Sequence, residues 1–484
     1  MSEELGLSVK KSEDFGKWYL EVLQKAEVLD TRYGVKGFLV YMPLGMLTVK
    51  EIYNLFENEL EIRNHKPALF PVVIPQSYFK KESEHIKGFE KEVFWITHAG
   101  KNKLNERMCL RPTSETAMYP MYSTWIRSHL QLPLKLYQSV SMYRYETKMT
   151  KPLMRGREFL WIEAHTAQKS WEDAENQVKE DMEIFKNVAD KLCLPFLLLK
   201  RPDWDKFPGA EDTYAFETIL PDGLSLQIGT THNLGEKFAK VFKIKYMDGL
   251  KKKKYVNQTC YGMGIGRILG ALLSVHGDDR GLILPPVVAP VQVVIIPIYK
   301  KENKAKVLEK CGEVLGKLKE KEFRVHLDDR EKYTPGFKFH EWELKGVPLR
   351  IEIGPKDIEN HKISLVRRDF SEVKHLKKIS IDEDRLEEYI SELLDNIRDS
   401  LSLKAGELMK IRNATDYKEL KNMIKEGGFI RIPFCMKEKC AKTLKDDTTA
   451  EVRGTLFEKN EKVKGGCVIC GWKAKEMVYV AKAY

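Results

Sequence analysis

Ser139 to His165 reads SVSMYRYETKMTKPLMRGREFLWIEAH, and the rest of the chain is organised around it. Its first part, ending in Arg144 and Glu146, is strand-like. The loop that follows carries Lys148, Lys151, Arg155 and Arg157 and no acid. FLWIEAH then sets Phe159, Trp161 and Ala164 against Glu158, Glu163 and His165, the alternation expected of a half-buried strand returning beside the first. Two strands holding an arginine-rich loop form a rigid clamp for a polyanion, because the planar guanidinium fork matches phosphate and carboxylate oxygens better than a flexible ammonium does. Taken alone, four basic residues in a loop read first as a solvated hairpin.

Three other segments change that reading. Arg111-Pro112-Thr113-Ser114-Glu115-Thr116 opens a helix upstream, and Gln227-Ile228-Gly229-Thr230-Thr231-His232 and Cys260-Tyr261-Gly262-Met263-Gly264-Ile265-Gly266-Arg267 lie downstream. In this order the set resembles the signature of a class II aminoacyl-tRNA synthetase. RPTSE, the YRYE strand and loop, FLWIEAHT and the terminal YVAKAY are similar to prolyl-tRNA synthetases of the archaeal and eukaryotic type, and the resemblance runs over essentially the whole chain. Two rival readings differ from it in named residues. A synthetase of the same subclass for threonine would need a catalytic-site zinc, and no such cysteine and histidine set stands between 100 and 270; glycine and histidine enzymes differ in the amino-acid pocket. A non-catalytic RNA-binding relative would have lost Arg144, Arg155 and Arg267, which are present.

Composition sets wide bounds. A chain of 484 residues with 43% hydrophobic and 32% charged residues is an ordinary globular protein, too long for one core, and predicts two to four domains. The most apolar stretch, Ile283 to Ile298, is interrupted by four prolines, so no membrane span is expected. The amino-terminal MSEELGLSVKKSEDF lacks an apolar signal core, which predicts a cytoplasmic protein. Net charge is +11. Residues 401–484 alone hold 18 Lys/Arg against 11 Asp/Glu, or +7. A distributed basic surface of this kind suits a folded RNA.

Periodicity predicts helices over 15–30 and 44–64, a short edge strand over 68–74 around Pro71, and a long helix from Ser170 to Cys193 capped by Ser170. Pro285, Pro286 and Pro290 mark a linker. Beyond it, strands at 291–298, 323–327, 349–353 and 362–367 alternate with helices at 302–320, 337–344 and 385–401, which indicates a small α/β domain with a mixed sheet. The expected fold is thus multidomain α+β. Residues 1–286 would form a class II catalytic domain on an antiparallel sheet, 287–403 an α/β anticodon-binding domain, and 404–484 a zinc-bearing α+β domain.

The resemblance implies roles for single residues. Activating an amino acid requires its carboxylate in line with the α-phosphorus of ATP, a matter of positioning and charge rather than of a protein nucleophile. Arg144 would bridge the carboxylate and the α-phosphate, Arg155 and Arg267 would hold the outer phosphates, and Glu146 would meet the adenine amino group. Gln227, Thr230, Cys260 and Ile265 would also contact the nucleotide and its Mg²⁺-bound phosphates. Thr113 and Glu115 would receive the imino group of L-proline, and Trp161, Glu163, His165, Phe216 and His232 would line the ring pocket. His232 standing alone would be a satisfied core histidine. Glycines 262, 264 and 266 fall short of a nucleotide-loop pattern and fit close packing instead. Glu343, Arg350 and Lys356, in HEWELKGVPLRIEIGPKD, match the anticodon reader. A homodimer is implied by the helix-then-strand segment with Pro71. The 60 or so residues between His165 and Gln227 leave no room for an editing domain of about 100–150 residues. The reaction implied is ATP-dependent attachment of L-proline to tRNA(Pro) through prolyl-adenylate, releasing AMP and pyrophosphate.

Cys435-x4-Cys440 and Cys467-x2-Cys470 stand on their own chemistry. Two close thiolate pairs separated by a loop supply four soft ligands for a closed tetrahedral zinc site, and a filled ligand set makes the metal structural. The chain ends VYVAKAY, alternating and aromatic where most termini are polar. The resemblance implies that Tyr484 folds back to the edge of the active site.

Overall fold

The Ser139–His165 stretch folds as the expected hairpin. Strands Leu134–Tyr143 and Glu158–Gln168 pair antiparallel from Leu134↔Ala167 to Tyr143↔Glu158. The structure is a computed structural model that describes residues 6–81, 90–370, 378–457, 463 and 465–484. The returning strand is not half-buried, however. Ile162 to Gln168 are all buried, because the strand also pairs with Asn257–Gly264 and helices cover both faces. Helix Ile265–His276 packs on one side. On the other, Tyr119 and Tyr122 of helix Glu115–Trp125 hydrogen-bond His165.

This hairpin lies within an eleven-stranded sheet. From its inner strands outward run Ser225–Gly235, Asp212–Ile219 and Leu197–Lys200, all antiparallel. The sheet does not stop there. Leu197–Lys200 pairs with Glu451–Leu456 through Thr455↔Lys200 and Leu456↔Leu199. Glu476–Ala481 and Ile430–Phe434 follow. The segment expected as a separate carboxyl-terminal unit therefore extends the catalytic sheet.

A second, five-stranded sheet has the order Val325–Leu327, Val293–Pro297, Leu349–Ile353, Lys362–Arg367, Lys378–Asp382. Its first three strands are parallel and the rest antiparallel, the mixed sheet that the alternation predicts, with the last strand an addition. Helices Lys304–Glu320 and Leu386–Gly406 bury Val307, Cys311, Val314, Ile390 and Ile397 against it. Position 404, expected as a domain boundary, falls inside the second of these helices. Arg368 clasps Asp278 with both guanidinium nitrogens, at 2.8 and 2.6 Å, and ties this sheet to the end of helix Ile265–His276.

Other local expectations shift at their ends. The first helix stops at Lys25, and the second spans Pro43–Ile62. The expected strand at 68–74 divides into Lys66–Pro67 and Val73–Pro75, which join different sheets on either side of Pro71. Ser170 does cap helix Trp171–Lys191, its Oγ accepting from Asp173 N at 3.1 Å. Among the described residues, no helix is long and apolar enough to cross a membrane.

Candidate active site

The strand ends and the helix Glu115–Trp125 border two adjoining clefts that open to solvent. Arg144, Trp161 and Gln227 line both. The first cleft is cationic. Arg155 and Arg267 face it together with Glu146 and Phe159. Arg155 sits 3.7 Å from the Glu146 carboxylate. Arg267 is anchored by donating to the carbonyls of Met154 and Gln227, both at 2.9 Å. Burial, and after it Arg144 and Arg155, push the Arg267 guanidinium down to about 10. It stays charged at neutral pH, and the three arginines crowd where an anion would relieve them.

Arg144 marks the junction. Its Nε donates to Pro112 O at 2.9 Å, and its guanidinium lies 5.3 Å from the Phe159 ring and 5.8 Å from Trp161. The RPTSE loop thus holds the clamp arginine by its backbone. Arg157, by contrast, serves the scaffold: it stacks over Tyr145 at 4.0 Å and donates to Glu146 O. Of the three glycines at 262, 264 and 266, Gly262 has a steric reason to be glycine, since a Cβ there would meet the Trp161 ring at 2.3 Å.

The second cleft mixes charges: Glu115, Glu163 and Asp205 line it with Arg144, Arg201 and Lys206, and the Glu115 and Glu163 side chains are buried. Thr113 Oγ1 donates to Glu115 Oε2 at 2.5 Å, and Cys260 Sγ lies 3.2 Å from Glu115 Oε1. Glu163 accepts from Gln138 at 2.7 Å. His232 shares a 3.0 Å hydrogen bond with Thr213, and Phe207 packs on its ring at 4.7 Å. Burial drives the His232 imidazole down to about 3, so it is neutral here. A small cation with an apolar ring fits this wall: a carboxylate and a hydroxyl at one end, Trp161 and Phe207 along the sides.

Several expected site residues lie elsewhere. Phe216 is fully buried and stacks on Phe185 at 4.0 Å, facing helix Trp171–Lys191, because its place in the strand turns it to the sheet's other face. The pocket aromatic is Phe207, which sequence reading missed; it lies in an irregular loop where no periodicity points to it. His165 is fully buried and outside both clefts. It buttresses Glu163 at 3.0 Å while Tyr119 holds its other nitrogen. Burial would lower the His165 ring, but the Glu163 carboxylate overrides this and raises it. Ile265 sits in the main core. Cys260 lines the second cleft and not the cationic one. Thr230 lines the second cleft as well.

At the second sheet, Glu343 and Arg350 share a small cleft. Glu343 is buried at the joint and accepts from Arg280 at 3.1 Å, while Arg350 pairs with Glu352. Lys356 is exposed on the short helix Pro355–Glu359. Farther along, all four sulfurs of Cys435, Cys440, Cys467 and Cys470 lie within 4.8 Å of one another. Cys435 is 3.5 Å from Cys440 and 3.8 Å from Cys470. Sulfurs at the corners of a tetrahedron with metal bonds of about 2.3 Å stand about 3.8 Å apart, so the donor set fits zinc. The tail adds a last contact: Tyr484 donates its backbone N–H to Ser225 O at 3.1 Å, and its phenol meets Lys151 and Asp222.

Comparison with known proteins agrees with this geometry. Residues 94–276 match the class II tRNA synthetase core domain (G, H, P, S and T). Residues 292–393 match an anticodon binding domain, and 417–484 the prolyl-tRNA synthetase C-terminal domain. Proline–tRNA ligase of Thermofilum pendens is 52% identical over the full length of both chains. That of Thermococcus kodakarensis is 46% identical over 98% of this chain and 99% of its own. The solved Giardia lamblia prolyl-tRNA synthetase in complex with prolyl-adenylate superposes with a TM-score of 0.94, at 38% identity over 99% of this chain and all of that one. From its sheet, its paired clefts and these relatives, the chain belongs to the prolyl-tRNA synthetase family of class II aminoacyl-tRNA synthetases.

Proposed function

We propose that this protein activates L-proline with ATP and transfers it to tRNA(Pro). The observation that carries the reading is Arg144, standing where a ring-lined cleft that holds Glu115 and Glu163 opens into a cationic one. Proline enters the first with its ring against Trp161 and Phe207 and its cationic imino group on Glu115 and Thr113. ATP, with Mg²⁺, fills the second, its outer phosphates on Arg155 and Arg267, its adenine amino group at Glu146, and its remaining contact from Gln227. One proline carboxylate oxygen attacks the α-phosphorus, the new C–O–P link forms, and pyrophosphate leaves. The terminal hydroxyl of tRNA then attacks the activated carbonyl and AMP departs. Arg144, holding both reacting groups, stabilises charge that develops only between them.

The rest of the reading follows the expected organisation. Residues 1–286 carry out activation, 287–403 read the anticodon through Glu343, Arg350 and Lys356, and 404–484 hold zinc on Cys435, Cys440, Cys467 and Cys470. Zinc there serves as a structural cross-link. The enzyme is a cytoplasmic homodimer. Its partner surface is marked by the exposed apolar side chains of Ile62 and Leu69, 75% and 81% accessible around Pro71. It has no editing activity of its own.

Pyrophosphate exchange with each of the twenty amino acids is the test. Proline should stimulate it most, and a stronger response to any other amino acid overturns the assignment.

A further inference from the structure

A chain of buried charges leads from the carboxyl-terminal sheet to the active site. Arg453, 6% exposed, comes from strand Glu451–Leu456. It donates to both oxygens of Glu217, with Nε at 3.0 and 2.9 Å and Nη2 at 2.6 Å. Glu217 is fully buried and accepts also from Ser225 Oγ at 2.5 Å and from Arg201. Burial would raise the Glu217 carboxyl, but Arg201 and Arg453 hold it down at about 2. Arg201 in turn donates through Nη1 to Arg453 O at 2.9 Å and through Nη2 to Gln227 Oε1 at 2.6 Å. Gln227 is one of the three residues lining both clefts.

A guanidinium can only donate. The Gln227 amide must therefore turn its oxygen to Arg201, which leaves its NH₂ as the end presented to the clefts. We propose that Arg453 is a positioning residue for the activation reaction: by saturating Glu217 it keeps Arg201 on Gln227 and so fixes the amide with its donors toward the nucleotide. Without Arg453, the buried Glu217 carboxylate has unfilled acceptor sites, and the fork of Arg201 closes on it as a two-pronged pair. The Gln227 oxygen loses its partner and the amide is free to turn an acceptor toward the phosphate and ribose oxygens it should donate to. In this arrangement the carboxyl-terminal region contributes to ATP binding although none of its described residues lines the cationic cleft.

The inference rests on the functional reading above, and the experiment separates the two. Full-length Arg453→Met and Arg453→Lys are compared with the parent in proline-dependent pyrophosphate exchange, at a temperature well below each melting midpoint. A merely structural role lowers the midpoint and the active fraction, hence kcat, and leaves the KM for ATP where it was. The positioning role raises the KM for ATP about tenfold in Arg453→Met, the worth of one hydrogen bond to a charged partner, with the KM for proline within twofold. Arg453→Lys, which keeps charge but loses the fork, should show about a threefold rise and serves alone if the methionine variant does not fold. A KM for ATP within twofold of the parent in the folded variants overturns the proposal, as does an equal rise for both substrates. If the parent itself shows no proline-dependent exchange, the functional reading fails and this inference with it.

Discussion

The ammonium of Lys151, in the arginine-rich loop, donates to the phenol oxygen of Tyr484, the last residue of the sequence, at 2.6 Å. Lys151 also lies 4.4 Å from the Tyr484 ring, and its carbonyl accepts from Arg155 N at 2.9 Å. The tail thus tethers the loop that carries a proposed phosphate ligand. Deleting Ala483 and Tyr484 should lower the rate of proline activation about fivefold, the worth of one ordinary hydrogen bond, without changing cysteine-bound zinc. A truncated protein with full exchange activity would reduce Tyr484 to an ordinary chain end.

Arg144 is predicted to be indispensable. Replacing it with alanine removes the one charge shared by both clefts, and losses of this kind cost on the order of 3–4 kcal/mol. Exchange should fall by two to three orders of magnitude while tRNA still binds through the second sheet. Filter binding alongside exchange checks this, and near-parental exchange removes Arg144 from the mechanism.

Lys356 and Glu343 should part company. Lys356→Ala, at an exposed side chain, should raise the KM for tRNA severalfold and spare proline-dependent exchange. Glu343→Ala should do the same and also lower the melting midpoint, because it leaves Arg280 without its 3.1 Å partner at the joint between the sheets. Normal aminoacylation at limiting tRNA by both variants would exclude this surface from anticodon reading.

Acid should destabilise the fold from just below neutrality. Burial pushes His65 and His276 down to about 4 and His232 to about 3. Each is neutral when folded but takes a proton when unfolded once the pH drops below about 6.5. Stability from these groups is therefore complete above that pH and lost as the pH falls toward 4, up to about 3 kcal/mol per histidine. Asp181 runs the other way: burial raises it to about 7 against the pull of Gln177 and Thr231, so its contribution declines as the pH rises from about 4 to 7. His165, raised by Glu163, runs with Asp181; the three lowered histidines outweigh these two, and the melting midpoint should drop between pH 7 and 4, less so in His276→Gln. A midpoint that climbs on acidification contradicts the assignment.

Fidelity should be limited by the pocket alone. A cleft shaped by Trp161 and Phe207 for a five-membered ring admits smaller amino acids, which lose only packing, and one missing methylene buys about 10–200-fold discrimination. Alanine should give measurable exchange, and the purified enzyme should leave alanyl-tRNA intact. Rapid hydrolysis of that ester by the enzyme alone counts against the absence of editing.

What the sequence made legible is what short-range chemistry encodes. The hairpin around the arginine loop, the Ser170 cap and the cysteine pairs all follow from spacing within a few dozen residues. Errors arose where the face of a strand decides the outcome. Phe216 and Phe207 are both aromatic and close in sequence, yet one belongs to the core and the other to the pocket, because strand parity turned Phe216 toward Phe185. His165 reads as a pocket residue until Glu163 and Tyr119 are seen to occupy both its nitrogens. The joining of the two halves of the main sheet through Thr455↔Lys200 has no local signal at all, since strand pairing across such a separation depends on the assembled fold.

That joining also sets an order of assembly. Strand Leu197–Lys200 has its outer neighbour in Glu451–Leu456, and a ribosome delivers that neighbour long after the strand itself. Until then the catalytic sheet carries an open rim of unpaired amides, the kind of edge at which chains stick to one another. Closure comes with strand Glu451–Leu456, which also brings Arg453 to Glu217. A prematurely terminated chain would therefore be left sticky and inactive together, so quality control that recognises the bare edge would remove the molecules that cannot charge tRNA.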